Sequence, residues 1–567
     1  MVKRSRGGDE SRDEASTKRS RPSSVDALSK LSDELLLKIL SLLPVSRLVV
    51  CQRLSHKYHS LAGDGQLWKV LYYNRFVRPR ASRLPSRKEA LALNDSSHYS
   101  SKRSSRWLED DHLVKSGGRT NWKKQYKLRH NWSRGSCAVN EIPVAEQAPI
   151  PPILVQMYGG IVYMVNQSDG LRAWSTKDRQ RLVAQRQLSA VTSRNPPTSL
   201  AIDTQAQSNN RTRVVVGFEN GSFSIYMLHQ AAGSFTHHYS HEASSNGVIS
   251  ATALTWPYAL TMTATQLLSL YRFPDPPADE VTEGLLDSPR LLHALRSRTV
   301  WPPLSVSLRT SVQAITICVA YTLPTYLSGW TVGLQEVKVD PDGFLLGSRL
   351  ASAIDQHYRP LAFSSRPIMQ HLAPLSPAAG SSASLELKHI HSKPTSLSYT
   401  HPYLLVSHPD NTLTLYLVTS TAESLAISAG SRLWGHTSSV SGAHVGGRGK
   451  AVSVSRRGDE LRVWELEGGF GTSTARKRLA TGDLSVQIRP ERVGNGSRTT
   501  STLDSRIIGQ AISTRSLAQS CGLEHAADED ICDLTLTRGW IGFDEEKVVL
   551  LKERSQGTQA LVVYDFT

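Results

Sequence analysis

The chain has few cysteines, and they are scattered. Cys51, Cys137, Cys318, Cys521 and Cys532 include no Cys-x-x-Cys pair. Neither a zinc site nor a disulfide framework is indicated, which fits a reducing compartment. Long apolar runs are missing as well. The best stretch, residues 314–330, is broken by Pro324, Ser328 and several threonines. It predicts two buried strands rather than a membrane span. The charged N-terminus has no apolar core, so no secretory signal is expected there and the chain reads as soluble and intracellular. Catalytic signatures are absent too: there is no Gly-x-Ser-x-Gly, no Walker loop and no His-Glu-x-x-His. Gly446-Gly447-Arg448-Gly449 is glycine-rich but does not follow a strand and open a helix, so it reads as a hairpin turn. His237, His238 and His241 lack a Cys or acidic partner at metal-ligand spacing and read as a loop cluster. No cofactor, no metal and no enzymatic activity are expected.

What is present is a basic chain of 567 residues with net charge +17, long enough for two to four domains. Residues 75–134 carry most of that excess, and the body downstream is close to neutral. A basic connector with aromatics between its cations leaves nucleic-acid binding open as an alternative. The polar, Ser-rich residues 1–29 are expected to be disordered. Lys3-Arg4 and Lys18-Arg19-Ser20-Arg21 within them are spaced like a bipartite nuclear import signal, so a nuclear location, a cytoplasmic one or both are expected.

Between residues 30 and 76 the apolar positions follow a helical period. Ser32 can cap a helix carrying Leu35, Leu36, Ile39, Leu40 and Leu43, and Pro44 stops it. Leu48, Val49, Leu54, Tyr58 and Leu61 fit one or two more short helices. Gly63 to Gly65 is a break, and Leu67, Trp68 and Leu71 sit on a last helix. So short a segment cannot hide this many large apolar side chains from water by itself. The surplus must dock on the rest of the chain or on another chain.

The segment resembles an F-box through Leu42-Leu43-Pro44, Leu54-Ser55-His56-Lys57, Tyr58, Leu61-Ala62 and Leu67-Trp68. Two departures are visible: Leu31-Ser32 replaces the usual Leu-Pro opening, and Tyr58 the usual Trp. The resemblance implies docking on a Skp-type adaptor and, through it, on cullin and RING subunits. Carried over residue by residue, Leu35, Ile39, Leu40, Leu43, Pro44, Leu54 and Trp68 are the adaptor contacts. Replacing Ile39 and Leu40 together by Asp is then expected to abolish adaptor binding.

Residues 77–135 form a basic helical linker in which Trp122 and Tyr126 are i,i+4 neighbours. Trp-x3-Tyr and Asn131-Trp132-x2-Gly135 are similar to elements of F-box/WD-repeat proteins that pack a linker helix against the first blade.

From residue 136 to 567 the period changes from 3.6 to 2. Strand runs end in Trp174, Tyr226, Tyr271, Tyr416 and Trp464, each after a polar turn and a short Val/Leu/Ile-rich strand. Repeats of roughly 40–50 residues with several strands each mark a propeller. The long interval between Tyr271 and Tyr416 leaves room for two further units, one visible around residues 316–337. The unit ending at Trp464 resembles a WD repeat: His436, Ser453, Asp459 and Trp464 match the hydrogen-bonded network that locks one blade. The other units lack Gly-His. The fold class is therefore multidomain: a small all-α F-box followed by an all-β, degenerate WD-repeat-like propeller of about seven blades. Insertions near 274–303, 351–394 and 468–528 are expected to be disordered. Residues 137–142 are expected to join the last blade as its outer strand, because a closed propeller must hide its edges. Arg172, Arg456 and Arg457 lie in or beside turns and are the candidate contacts to a protein target, phosphorylated or not. The resemblance as a whole implies the substrate-recognition subunit of an SCF-type ubiquitin ligase. A WD-repeat scaffold outside ubiquitination is the other alternative.

Overall fold

The computed structural model describes residues 31–567 apart from 79–119, 178–180, 189–194, 205–210, 275–286, 298–299, 312, 325–328, 354–392, 422–423, 447–448, 457, 459, 467–484, 491–533 and 555–556. The chain divides into two compact units. The basic clusters within residues 1–29 and most of the 77–135 linker lie outside the described residues. No described helix is long and apolar enough to cross a membrane. Among the described residues, Cys51, Cys137 and Cys318 form no disulfide with one another.

The first unit is helical: α1 (Asp33–Ser41), α2 (Val45–Cys51), α3 (His56–Ala62) and α4 (Gly65–Tyr72), with a π-helical turn at Tyr73–Val77. The start of α5 (Trp122–Arg134) completes it. Pro44 has no N–H to donate, so it ends one helix and its carbonyl starts the next, accepting from Arg47 and Leu48. Asp64 caps α4 through the amides of Gln66 (2.8 Å) and Leu67 (3.2 Å). Ser55 caps α3, whereas Ser32 occupies the cap position of α1 without a side-chain bond. The core gathers Leu40, Leu48, Ala62, Leu67, Trp68, Tyr72 and Val77 around Tyr126. Trp68 donates to the Ala62 carbonyl at 2.8 Å and meets Tyr126 edge-on at 5.4 Å.

The second unit is a propeller of seven antiparallel sheets. Blade 1 is β2 (Leu154–Tyr158), β3 (Ile161–Asn166), β4 (Gly170–Ser175) and β5 (Leu182–Arg186). Blade 2 is β6 (Pro197–Ile202), β7 (Arg211–Phe218), β8 (Phe223–His229) and β9 (Ser234–His241). Blade 3 is β10 (Ile249–Thr255), β11 (Tyr258–Thr263), β12 (Leu267–Arg272) and β13 (Arg290–Arg296). Blade 4 is β14 (Trp301–Thr310), β15 (Ile315–Pro324), β16 (Trp330–Val339) and β17 (Leu345–Ser352). In blade 5, β18 (Ser396–Thr400), β19 (Tyr403–Ser407) and β20 (Thr412–Ser420) are flanked by two short outer strands, β21 (Leu425–Ile427) and β22 (Ser431–Trp434). Blade 6 is β23 (Val440–Val445), β24 (Lys450–Ser455), β25 (Leu461–Glu465) and β26 (Ser485–Gln487).

Blade 7 is built from both ends of this unit. β28 (Leu534–Phe543), β29 (Lys547–Arg554) and β30 (Gln559–Asp565) are joined by β1 (Ser136–Ala145), which pairs antiparallel with β30 from Ala138↔Asp565 to Pro143↔Ala560. β27 (Arg489–Pro490) adds a short parallel ledge outside β1. The expected closure by residues 137–142 is what the structure shows.

Four expectations need correction. The interval between Tyr271 and Tyr416 holds one blade, not two; residues 354–392 take up the rest of its length outside the described residues. The stretch 274–303 is not one insertion, because β13 and the start of β14 lie in it, paired through residues 290–296 to β12 and from Trp301 to β15. The 468–528 stretch likewise contributes β26 and β27, and of 351–394 only the ends of the stretch are described. Trp132 packs not on the first blade but on the last, stacked on Phe566 at 4.0 Å and donating to the Glu545 carbonyl at 2.9 Å.

Candidate partner-binding surfaces

In the helical unit, α1 and α2 are apolar on two faces. Leu36 and Leu40, one turn apart, point inward at 2% and 3% exposure, and Leu48 is fully buried. The opposite face carries Leu35 (55% exposed), Ile39 (43%) and Leu42 (79%) at i, i+4 and i+7. Val49, Val50 and Leu54 extend this exposed apolar surface. A solvent-facing helix surface normally carries polar groups, and clustered exposed leucines mark an interaction surface. Lys57 ties α3 to the start of α1, pairing with Asp33 at 3.1 Å and donating to the Leu31 carbonyl at 3.3 Å.

Of the seven proposed adaptor contacts, Leu35, Ile39, Pro44 and Leu54 are exposed and Leu43 is half-buried. Leu40 and Trp68 differ from the rest: both are buried in the helical core, behind the exposed surface rather than on it. Leu42, Val49 and Val50, not among those seven, are exposed on the same surface, and the i, i+4, i+7 ladder from Leu35 already pointed to Leu42.

In blade 6 three of the four residues named for the locking network come together. His436, buried between β22 and β23, shares a hydrogen bond with Ser453 (Nε2 to Oγ, 2.6 Å), and Trp464 Nε1 donates to the same Oγ at 2.7 Å. Asp459 lies outside the described residues. Its neighbour Glu460 brings a carboxylate to the same histidine. Glu460 Oε2 sits 3.4 Å from His436 Nδ1 and accepts from the Thr437 amide (2.7 Å) and hydroxyl (3.0 Å). Its Oε1 accepts from Arg462 at 2.7 Å. Burial alone would raise this carboxyl, but the Thr437 amide, the Arg462 guanidinium and His436 outweigh it and hold the group below the usual carboxylate range.

The three turn arginines separate. Arg172 is only 6% exposed; it donates to the Val144 carbonyl at 2.8 Å and pairs with Asp169 at 3.0 Å. It therefore ties blade 1 to the closing strand β1 and is not free for a target. Arg456 is exposed, and Arg457 lies outside the described residues.

His237, His238 and His241 sit on the outer strand β9, not in a loop. Each has its own partner: the Tyr226 ring, the Thr236 hydroxyl at 2.9 Å and the Tyr239 hydroxyl at 3.0 Å. Among the described residues no group of three or more His, Cys, Asp or Glu is arranged to hold a metal.

A further buried cluster carried no sequence signal. Glu336 on β16, 2% exposed, accepts from Arg309 of β14 (2.9 Å), from Arg349 of β17 and from Ser420 of β20 (2.9 Å). It clasps blade 4 to blade 5.

These features define a class: a small helical F-box-like domain and a seven-bladed propeller in one chain. An F-box-like family model matches residues 29–74. The family model described as "F-box protein pof12 beta-propeller" matches residues 137–567, most of the chain, and the protein belongs to that family. No curated protein matches it by sequence. Among solved structures it is similar to the WD40 propeller domain of Doa1, with 11% identity, coverage of 75% of this chain and 96% of that one, and a TM-score of 0.35. Similar values hold for the Cps50 (Swd1) propeller domain of Myceliophteria thermophila (10% identity, 76% and 100% covered, TM-score 0.36). YCF48 from Cyanidioschyzon merolae gives 8% identity, 76% and 99% covered, and a TM-score of 0.38. At these scores the likenesses carry no argument.

Proposed function

We propose that this protein is the substrate-recognition subunit of an SCF-type ubiquitin ligase. The F-box-like unit docks on a Skp-type adaptor, the propeller holds a target protein, and the transfer chemistry belongs to other subunits. The protein's own contribution is to raise the concentration of the target near them. The observation that supports this reading is the outward apolar face of Leu35, Ile39, Leu42, Val49, Val50 and Leu54, on a domain of F-box-like type. Each such side chain gains roughly 1.5–3 kcal/mol when a partner covers it.

The test follows from which leucines face outward. Leu35→Asp with Ile39→Asp places two carboxylates in the interface while leaving the core intact. Adaptor affinity measured by calorimetry should fall by about two orders of magnitude or more, with the helical content unchanged. Undiminished binding in the folded double variant would sink the proposal. Purification of the wild-type chain with the adaptor but without cullin would favour a scaffold role outside ubiquitination. We further propose that the basic clusters of residues 3–4 and 18–21 direct nuclear import; a fluorescent fusion in which these positions are neutralised should lose nuclear accumulation.

A further inference from the structure

Blade 2 gathers cations on the face it turns toward blade 3. Arg211 and Arg213 are two residues apart on β7, so both point the same way. Arg211 lies opposite His229 of β8. Arg213 lies opposite Met227, whose own partner on β9 is Thr236. The pairing shifts between Tyr226↔His237 and Ile225↔Tyr239, which makes His238 the extra residue of a bulge. The bulge brings His238 onto the Thr236 side: its Nε2 bonds the Thr236 hydroxyl at 2.9 Å, and His229 Nε2 bonds the same oxygen at 3.1 Å. All five of these polar side chains are half-buried. The strands alternate in direction, so this group sits at the β6–β7 end of its blade. Arg172 and Arg456, beside turns between the second and third strands, sit at the other end of theirs.

The arginines are held in place. The Arg213 guanidinium lies 4.0 Å over the Trp256 ring, in the turn between β10 and β11 of blade 3. Stacking fixes the plane of a guanidinium and leaves the donors along its edge to meet an oxyanion. The Arg213 Nε is buried without a hydrogen-bond partner among the described residues. The carboxylate that acts on Arg213 is that of Asp203, just after β6. Residues 205–210, outside the described residues, include no Asp or Glu. Two guanidinium charges against one carboxylate leave a net charge of 2 − 1 = +1.

Thr236 lets the two imidazoles gain protons without losing a bond. Its Oγ1 also lies 3.4 Å from the Met227 carbonyl. With the rings neutral, the hydroxyl donates to one of them. With both protonated, it accepts from both and turns its own proton to that carbonyl. Burial first, then the charges of Arg213, His229, His237 and Arg211, push the pKa of His238 down to about 4. An anion among these cations opposes the second effect.

We propose that Arg211 and Arg213, with His229 and His238 beside them, bind a phosphate dianion. The acceptor oxygens of a tetrahedral dianion match two guanidinium forks, whereas a carboxylate engages one. A net charge of +1 does not balance a dianion, so binding draws a proton onto His238, and affinity rises as the pH falls. The charged groups around His238 are Arg211 and Arg213 on β7, His229 on β8 and His237 on β9, with Asp203 acting through Arg213. Inorganic phosphate and a phosphorylated protein residue present the same group, and titration with each tells them apart. The site stands whether or not the protein serves a ubiquitin ligase.

Calorimetric titration of the full-length chain with sulfate, a tetrahedral dianion whose charge is constant between about pH 5.5 and 7.5, tests this. Saturation should occur with a dissociation constant of about 1 mM or lower at the acid end. Affinity should rise about three- to tenfold per pH unit, with proton uptake read from the dependence of the heat on the buffer. Arg211→Gln and Arg213→Gln should each weaken binding at least about tenfold. His238→Gln should retain the affinity seen at the alkaline end and lose its rise with acid. No saturable binding, a pH-independent affinity in the wild type, or arginine variants that bind like the wild type would overturn the proposal, the last by showing an adventitious ion only. Should Arg213→Gln lower the urea midpoint of the propeller, Arg211→Gln and His238→Gln decide. A phosphoserine peptide that binds at least about tenfold more tightly than inorganic phosphate assigns the dianion to a protein segment. Equal affinities assign it to the free anion.

Discussion

Single side chains carry more of this protein's stability than their positions in the sequence announce. Ser453 accepts from Trp464 and bonds His436, both buried. Ser453→Ala removes the bond of His436 Nε2 and that of Trp464 Nε1, both buried. It should cost about 2–4 kcal/mol, read as a lower urea midpoint with an unchanged slope. His408 is 1% exposed, with Nε2 bonded to the Thr414 hydroxyl at 2.8 Å. Burial pushes its pKa down to about 4; Asp410 opposes that shift and Arg432 adds to it. A His whose folded pKa is depressed binds fewer protons than in the unfolded chain. Its contribution is therefore complete above the unfolded value near 6.5 and declines as pH falls toward 4. His408→Gln should flatten the stability profile in that window by up to ~3 kcal/mol, measured by urea unfolding at a series of pH values. Glu460 follows the same sign at lower pH: its lowered carboxyl stabilises the fold above the usual carboxylate range and ceases to do so as acid protonates it.

At the level of elements, the first helix separates support from contact. Leu40→Asp puts a carboxylate into the core against Leu48 and Trp68 and should unfold the helical unit, whereas Leu35→Asp should leave its circular dichroism intact. Sequence period located the helix but not this division. Apolar residues at 35, 36, 39 and 40 spread over a broad arc opposite Glu34, Lys38 and Ser41, so the period shows the polar side but not which part of the apolar arc is covered. The aromatic strand ends were more legible. Trp174, Tyr226, Tyr271, Tyr416 and Trp464 all fall on or at the third strand of a blade, because that strand is covered on both faces and follows a tight polar turn. Arg172 was misjudged for the opposite reason. Its acceptor, the Val144 carbonyl, is 28 residues away, and only the closed ring of blades brings it near. The Glu336 clasp, with partners at separations of 13, 27 and 84 residues, left no local trace at all.

Over the whole molecule, the propeller depends on joining its two ends. β1 pairs with β30, Asn131 donates to the Phe566 carbonyl at 2.8 Å, and Trp132 stacks on the Phe566 ring. Deleting residues 559–567 removes all three contacts together. The truncated chain should lose the propeller's cooperative thermal transition, and the amides of residues 138–143, protected in the intact protein, should exchange freely. A second, independent helical transition remaining in both forms would be consistent with two separately packed units. The sequence by itself determined the helical segment, the period-2 body and the blade ending in Trp464, because each recurs as a pattern along a continuous stretch, and it implied the closing strand through the need of a closed propeller to hide its edges. Tertiary structure alone decided which leucines face outward, which arginine is sealed and how much of the long interval is a blade. Those depend on burial and on partners far along the chain, and burial is a property of the folded surface rather than of any stretch of residues.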